Sequence, residues 1–521
     1  MPPPRRARLS SRPYYSVAAS ERSSSTRGWL AVRRNRPSKR SRSRAPAPTI
    51  AQGDEEDDGT PLTDEILVGI FAGLPDFSDL VRCAATCKRW CRLVSREAAF
   101  ICRSRRCRRR PYVRSLALGF FYLHRRGAAV PRFAATASAS RRLALRQPSL
   151  NALVEGLDDG LFDSSRLVAS RNGLVVVELQ RGKRERALKL CVCNPMTGEV
   201  TVLPSLGGKE IVRPYACTII TADDDVDDDD DRTIGFTAGT HREHSQILIH
   251  SSSEFNLTGG SCAPPQDQNH GRDSPRAPSS YNVLLVYCRR GFTACRTYAS
   301  DSGRWGREEK VTDATRLGKK QMAAMAAGNS VVAHKVVYWH AKTMVFALRL
   351  GTLHAEHLQM PDTGKDAAGN TLLGVSPEGW LRVVQVVEKI SDPSSPPATV
   401  KRSVSIVVVT GQISATDDGE CLWDQPQPRQ VIEVVGRFLP SSETTWIQLQ
   451  WMCEKSGVVF FTAGCVDDDQ TGDVYAMSLD KQEVEKVANH HGGPSTWENL
   501  HGYEMDRTSY LSSLAMDEDD P

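Results

Sequence analysis

The sequence predicts an α+β chain with two structured parts behind a disordered basic N-terminus: a small three-helix unit, then a mostly-β domain of the propeller type. Three observations lead there. Helical periodicity is confined to residues 60–100. From about residue 112 the chain consists of short Val, Ile, Leu and Tyr runs punctuated by Gly, Asp, Asn and Pro, and two kinds of hairpin recur along those runs. A length of 521 residues also exceeds what one compact core holds. A β-sandwich is the alternative reading of the β-rich part. Helices do not alternate with strands in the pattern, which argues against a Rossmann or barrel α/β fold.

The net charge of +5 hides strong segregation. Residues 1–50 carry twelve Arg and one Lys against a single acid, Glu21, whereas 54–58 read DEEDD and 223–231 read DDDVDDDDD. Residues 1–58 lack apolar periodicity and are rich in Arg, Ser and Pro, so they are expected to be disordered. The N-terminus has no apolar stretch that could serve as a secretory core, and no later run reaches the length of a membrane span. The expectation is a soluble, intracellular chain with no membrane partner. Its fourteen cysteines then read as reduced thiols, and no CxxC pair occurs among them.

The helical unit is expected over 59–101. Thr63 is placed to cap a first helix whose opening turn holds Asp64 and Glu65, acids that favour the positive end of a helix dipole. Ile66, Leu67, Ile70 and Phe71 follow at three- and four-residue spacing and draw one apolar face. Gly73 ends this helix, and Pro75 keeps Leu74 extended. Ser78 is expected to cap a short second helix through Leu80, Val81 and Ala84. Thr86 is expected to cap a third, running to about Arg96, with Trp90, Leu93 and Val94 facing inward. Cys83, Cys87 and Cys91 sit four apart around Trp90, but zinc requires four well-placed N or S ligands, and no histidine accompanies them. They are read as packing thiols, with no metal expected.

The β-rich part is expected over 102–515. One kind of hairpin comprises 189–204, 294–309, 344–361 and 473–488, each an alternating strand, a polar or Gly-bearing turn and a second strand. The other comprises 166–179, 330–340, 370–388 and 448–464, each a pair of apolar strands. One kind followed by the other makes a four-stranded unit, and several such units in series predict a propeller. Polar segments near 221–232, 259–280, 391–402 and 414–428 read as flexible excursions.

The helical unit resembles the F-box. The residues that carry the resemblance are Leu62, Glu65-Ile66-Leu67, Ile70, Leu74-Pro75, Leu80, Cys87-Lys88-Arg89-Trp90, Leu93-Val94 and Phe100. One departure is visible: where that pattern opens on Leu-Pro, this chain has Leu62-Thr63, with the proline one place earlier at Pro61. The β-rich part resembles the F-box-associated propeller-type region of plant proteins, especially those of grasses, in phrases such as SRNGLVVV and CNPMTGEVTVLP. The resemblance implies a substrate-recognition subunit of an SCF-type ubiquitin ligase, docked on a Skp-family adaptor and through it on a cullin. It implies adaptor contacts at Leu62, Ile66, Ile70, Leu74, Pro75, Leu80 and Trp90, with Trp90 also packing the helices together. The β domain would hold a protein target, and the chain itself would do no bond chemistry and need no cofactor.

Other chemistries find little support. The stretch 467–480 begins like a calcium loop at Asp467, Asp469, Thr471 and Gly472, but Ser478 stands where a bidentate Glu is required. His354 and His357, and the group His241, His244 and His250, have no neighbouring acid or cysteine at ligand spacing and read as surface or core histidines. No phosphate-binding loop, nucleophile elbow or zinc-protease motif occurs. The basic run 33–44 fits nuclear import, a plastid transit peptide or a solvated arm, so the nucleus, the cytoplasm or both are the expected location. The competing function is a basic nucleic-acid-associated propeller scaffold with no ligase role. Nucleic acid is not the expected partner.

Overall fold

The structure, a computed structural model, describes residues 62–74, 77–104, 112–123, 130–143, 149–150, 161–179, 187–206, 214–221, 224, 280–312, 316–360, 370–390, 402–415, 421–424, 429–435, 445–465, 472–489, 497–512 and 514. The readings of 1–58, of Pro75, of most of 223–231 and 259–280, of the first three calcium-loop positions and of His241, His244 and His250 lie outside those residues.

The helical unit holds four helices where three were expected: α1 (Asp64–Gly73), α2 (Phe77–Ala84), α3 (Lys88–Arg96) and α4 (Ala98–Ser104). Helix α1 stops where expected, with Leu74 extended at φ −66° and ψ 129°. Two of the expected caps differ. Cys87, not Thr86, is the N-cap of α3, and the Thr86 hydroxyl instead donates to the Arg82 carbonyl at 3.0 Å. Ser78 lies inside α2, which starts at Phe77. Thr63 occupies the N-cap of α1 without a side-chain bond. Arg89 of α3 ties down that end of α1, donating to Asp64 Oδ1 at 2.8 and 3.0 Å and to the Leu62 carbonyl at 2.8 Å.

Two strands follow, β1 (Ala117–Leu123) and β2 (Arg132–Ala135), with helix α5 (Ala137–Leu143) after them. Then come β3 (Arg166–Arg171), β4 (Leu174–Glu178), β5 (Leu190–Asn194) and β6 (Glu199–Val202), an antiparallel sheet in chain order. The next sheet holds β7 (Tyr215–Thr221), β8 (Tyr281–Cys288), β9 (Thr293–Ala299) and β10 (Arg304–Trp305), with β11 (Glu309–Lys310) also on β9. Helix α6 (Lys319–Ala327) leads to β12 (Ser330–Ala333), β13 (Val336–His340), β14 (Met344–Arg349) and β15 (Ala355–Gln359). The fourth sheet is β16 (Thr371–Val375), β17 (Leu381–Ile390), β18 (Arg402–Ala415) and β19 (Cys421–Asp424), with β20 (Gln430–Glu433) on β18. The fifth is β21 (Thr445–Met452), β22 (Val458–Cys465), β23 (Asp473–Ser478) and β24 (Glu483–Ala488). Last come β25 (Glu498–Glu504) and helix α7 (Arg507–Ser512).

These sheets are the blades of a propeller. The first strand of each touches the first strand of the next, β3 to β7, β7 to β12, β12 to β16 and β16 to β21. The ring closes through β25, which touches both β21 and β3. The closing blade is composite, in the order β2-β1-β25, so strands from the two ends of the chain share one sheet. Among the described residues the propeller therefore has six blades. All eight expected hairpins are present as antiparallel pairs, three of them with a bulge, between Leu449 and Trp451, Val474 and Tyr475, and Leu167 and Ala169.

The cores lie in the seams between blades. Along β22, Val459 and Phe461 enter one seam while Val458 and Phe460 enter the next, because successive side chains of a strand point to opposite faces. With both faces covered, such strands are apolar throughout and do not alternate with polar residues. The seam between the composite blade and its neighbour is continuous with the helical unit. Leu67, Phe71, Leu80, Leu93 and Ile101 share one core with Leu118, Phe121, Phe133, Val175 and Leu511.

Two of the expected excursions are built into the scaffold. Within 414–428, β18 continues to Ala415 and pairs with β19, Ile413 opposite Trp423. In the aspartate run, Asp224 is buried against Arg171 and is not solvated, since its carboxylate meets a cation enclosed at the propeller axis.

Candidate functional site

The first helix carries an apolar residue on two adjoining lines, and only one line is used by the core. Leu67 and Phe71 are buried, whereas Leu62, Ile66 and Ile70, one turn apart, are exposed at 37%, 50% and 48%. Two exposed isoleucines on one helix face leave an apolar stripe that water covers in the isolated chain. The single face drawn by the sequence thus divides into a buried and an outward half. Phe100 of α4, 51% exposed, is a fourth large apolar side chain left out of the core of this unit. It belongs to the F-box resemblance but is not among the contact residues which that resemblance implies. Its signal was an aromatic beside the buried Ile101.

The other expected contact residues sit elsewhere. Leu80 is fully buried, so it holds α2 in the core and cannot itself meet a partner without opening the unit. Leu74 is half-buried at the end of α1, where its N–H donates to the Phe71 carbonyl at 3.3 Å. Trp90 is half-buried and lies edge-on to Phe71, with centroids 5.4 Å apart. Such aromatic pairs stabilise a core beyond their area alone. Leu62, Ile66 and Ile70 therefore form the outward stripe, and Leu74, Leu80 and Trp90 support it from beneath. Cys83 lies in α2, Cys87 at the cap of α3 and Cys91 in α3, and none of the three is in a disulfide.

A second cluster lies where the innermost strands end. Arg171, at the end of β3, donates to Asp224 at 2.5 and 2.7 Å, to Glu454 at 3.1 to 3.2 Å and to the Ile219 carbonyl at 3.0 Å. Glu504, at the end of β25, accepts from the backbone N–H groups of Lys455 and Ser456 at 3.1 Å. Burial works against the Asp224 charge, but Arg171 and the Thr221 N–H hold that carboxyl below the ordinary range. Burial dominates at Glu454, whose carboxyl is pushed up to about 6 despite Arg171. Beside the cluster is a cavity of about 10 Å³ reached by Ser170, Ser330 and Trp451, room for roughly one water and no more. Among the described residues this cluster is thus a charged plug that ties four blades together, and the cavity beside it is too small for an organic ligand.

His354 does meet an acid, contrary to the sequence reading: its Nε2 lies 3.1 Å from Glu356 Oε1, two residues along β15. Among the described residues no group of three His, Cys, Asp or Glu side chains is placed to hold a metal ion. No described helix is long and apolar enough to cross a membrane.

Residues 64–104 match the family described as F-box-like. Residues 130–244 match a second family, described as a domain of unknown function (DUF7595), which here spans β2 to the strand that opens the second full blade. No curated protein matches the chain. Among solved structures, the chain is similar to one from an analysis of two prolyl endopeptidases at 11% identity and a TM-score of 0.27, covering 63% of this chain and 35% of that one. It is also similar to a putative 6-phosphogluconolactonase from Bacteroides uniformis at 12% identity and a TM-score of 0.30, covering 74% and 99%. A third is a post-proline cleaving enzyme from Rickettsia typhi at 8% identity and a TM-score of 0.32, covering 83% and 58%. The chain spans about a third of the length of the first of these, and at such TM-scores the likenesses carry no argument about its activity. The arrangement is an F-box-like helical region followed by a propeller-like β domain.

Proposed function

We propose that this chain is the substrate-recognition subunit of an SCF-type ubiquitin ligase and is not itself an enzyme. Its F-box-like helices dock on a Skp-family adaptor, which links it to a cullin, and its propeller holds a protein target. The observation that carries this reading is the exposed stripe of Ile66 and Ile70, on the first helix of the segment that matches the F-box-like family, continued by Leu62 just before that helix. A stripe of that kind fits a helix-binding groove, where burying each isoleucine contributes about 1.5–3 kcal/mol before ordering costs. The chemistry supplied is proximity, since a held target raises the effective concentration of its lysines at a ubiquitin-loaded partner. Target contacts fall to loops carried on the rigid blades, as recognition generally does. The nucleus and cytoplasm are the proposed locations, to be checked by imaging a tagged chain.

The test is co-purification with a Skp-family adaptor, followed by titration of the purified pair. Ile66→Asp with Ile70→Asp places two charges in the buried interface and should weaken the complex by at least ~2 kcal/mol, the scale of a lost anchor. The propeller should remain folded by circular dichroism. Unchanged affinity in that double variant, or no adaptor bound by the native chain, would refute the reading.

A further inference from the structure

The C-terminal segment belongs to two structural units at once. Strand β25 is the innermost strand of the composite blade and closes the ring against β1, β3 and β21. Its end is fixed firmly: Gly173 N–H donates to the Glu504 carbonyl at 3.0 Å, Met505 N–H to the Leu116 carbonyl at 3.0 Å, and Tyr503 Oη to the Gly173 carbonyl at 3.0 Å. Only Met505 and Asp506 separate this strand from α7, and α7 packs on α3 and α4 of the helical unit.

The contacts of α7 complete a core. Leu511 is fully buried and Tyr510 nearly so, in the same cluster as Leu67, Phe71, Leu80, Leu93 and Ile101. The Tyr510 ring lies 5.8 Å from Phe77. Ser95, itself buried, donates its hydroxyl to the Ser512 carbonyl at 2.6 Å, and Cys91 Sγ lies 3.5 Å from the Leu514 carbonyl. A unit of roughly forty residues has little hydrophobic core of its own. This one takes part of its core from a helix encoded at the far end of the chain.

We infer that residues 498–514 form a clasp that makes adaptor docking conditional on closure of the propeller. The inference rests on the reading that α1 is the adaptor-facing helix. The outward stripe of α1 is ordered because Leu67 and Phe71 on its other side are packed in a core that α7 completes through its contacts with α3 and α4. A chain that lacks its C-terminal residues, or whose ring is open, does not hold the stripe in shape and is kept out of the ligase. Only a propeller able to hold a target is then delivered to the adaptor.

The test compares the full chain with a chain ending at Asp506 and with the point variants Leu511→Asp and Leu511→Met. Amide hydrogen exchange is read over α1–α4 and over β7–β9, and binding of a purified Skp-family adaptor is titrated. The truncated chain and Leu511→Asp should lose protection in α1 and α3 while β7–β9 stay protected. Adaptor affinity should then fall by roughly tenfold or more, as the competent fraction shrinks. Leu511→Met, which conserves volume, should bind as the native chain does. Native protection of α1 and α3 in both the truncated chain and Leu511→Asp would overturn the clasp, whatever the adaptor does. If the native chain binds no adaptor, the docking reading falls, while loss of helix protection on removing α7 still supports the structural coupling.

Discussion

Replacing Arg171 by Met is the most demanding test of how the ring is held. The side chain keeps an unbranched apolar stem and loses the guanidinium with its charge and hydrogen bonds. Asp224 retains the Thr221 N–H at 2.8 Å and the Thr221 hydroxyl at 3.2 Å, but Glu454 loses its cation and is left beside Glu504. Removing one partner of a buried ion pair costs about 3–5 kcal/mol, chiefly because the remaining charge is stranded. Part of that cost is recoverable by protonation. Without Arg171 the Glu454 carboxyl rises further from its already raised value of about 6, so the folded state holds a proton that the unfolded state releases. A carboxyl with a folded pKa above its unfolded value contributes stability that is lost as pH rises through the folded pKa. The destabilisation of Arg171→Met should therefore be about 3–5 kcal/mol at pH 8 and about 1–2 kcal/mol smaller at pH 6. Urea unfolding followed by near-ultraviolet circular dichroism at both pH values measures it. Adding Glu454→Gln should remove most of the pH dependence. A loss below about 1 kcal/mol at pH 8, or one independent of pH, would show that the cluster does not tie the blades together.

Two further perturbations probe the closing strand. His501 is buried with its ring 4.5 Å from Trp451, and burial depresses its pKa to about 4, so the unfolded chain takes up a proton first as pH falls below the ordinary histidine range. Its contribution thus falls with falling pH while that of Glu454 moves the opposite way, and His501→Gln should change the slope of stability against pH by roughly 1 kcal/mol per unit between pH 4.5 and 6; equal slopes in urea titrations would contradict the assignment. Gly502, also on β25, lies so close to the neighbouring blade that an added Cβ would sit 2.4 Å from Trp451 Cδ1 and 3.0 Å from Phe460 Cδ2. Gly502→Ala should cost about 1–3 kcal/mol by overpacking the seam, and a variant as stable as the native chain would mean the ring closes more loosely than described.

Local chemistry made the hairpins legible. At the turn between β3 and β4, Asn172 and Gly173 have φ of 50° and 76°, and Asn and Gly are the residues that accept such backbone most readily. The corners of all eight hairpins lie within a few residues of the strands they join, so the sequence displays strand, corner and strand together. Pairings with distant partners were not legible. β7 and β8 are adjacent in their sheet but separated in sequence by residues 222–280, and β1 pairs with β25 from the other end of the chain. Periodicity placed Ile66, Leu67, Ile70 and Phe71 on one side of a helix but could not decide which pair the core would take, because that depends on where α3 and α4 lie. Nothing within a run of aspartates distinguishes Asp224 from its neighbours; its role follows from Arg171, brought to it only by the ring. Phe100 is an aromatic in a helix, and only tertiary packing tells an anchor from an exposed side chain.

The composite blade also sets a schedule for synthesis. β1 leaves the ribosome early, and its partner β25 follows only after about 380 further residues, which at about 5–20 residues per second takes roughly 20–75 seconds. Throughout that interval the edge of β1 that belongs to β25 has unmet backbone groups, and Leu118 and Phe121 have no finished seam to enter. The helices before it wait equally long for Leu511. A nascent chain of this design must be shielded from pairing with other chains until its last strand arrives, so slowed translation near the 3′ end of its message should raise aggregation more than the same slowing near the start.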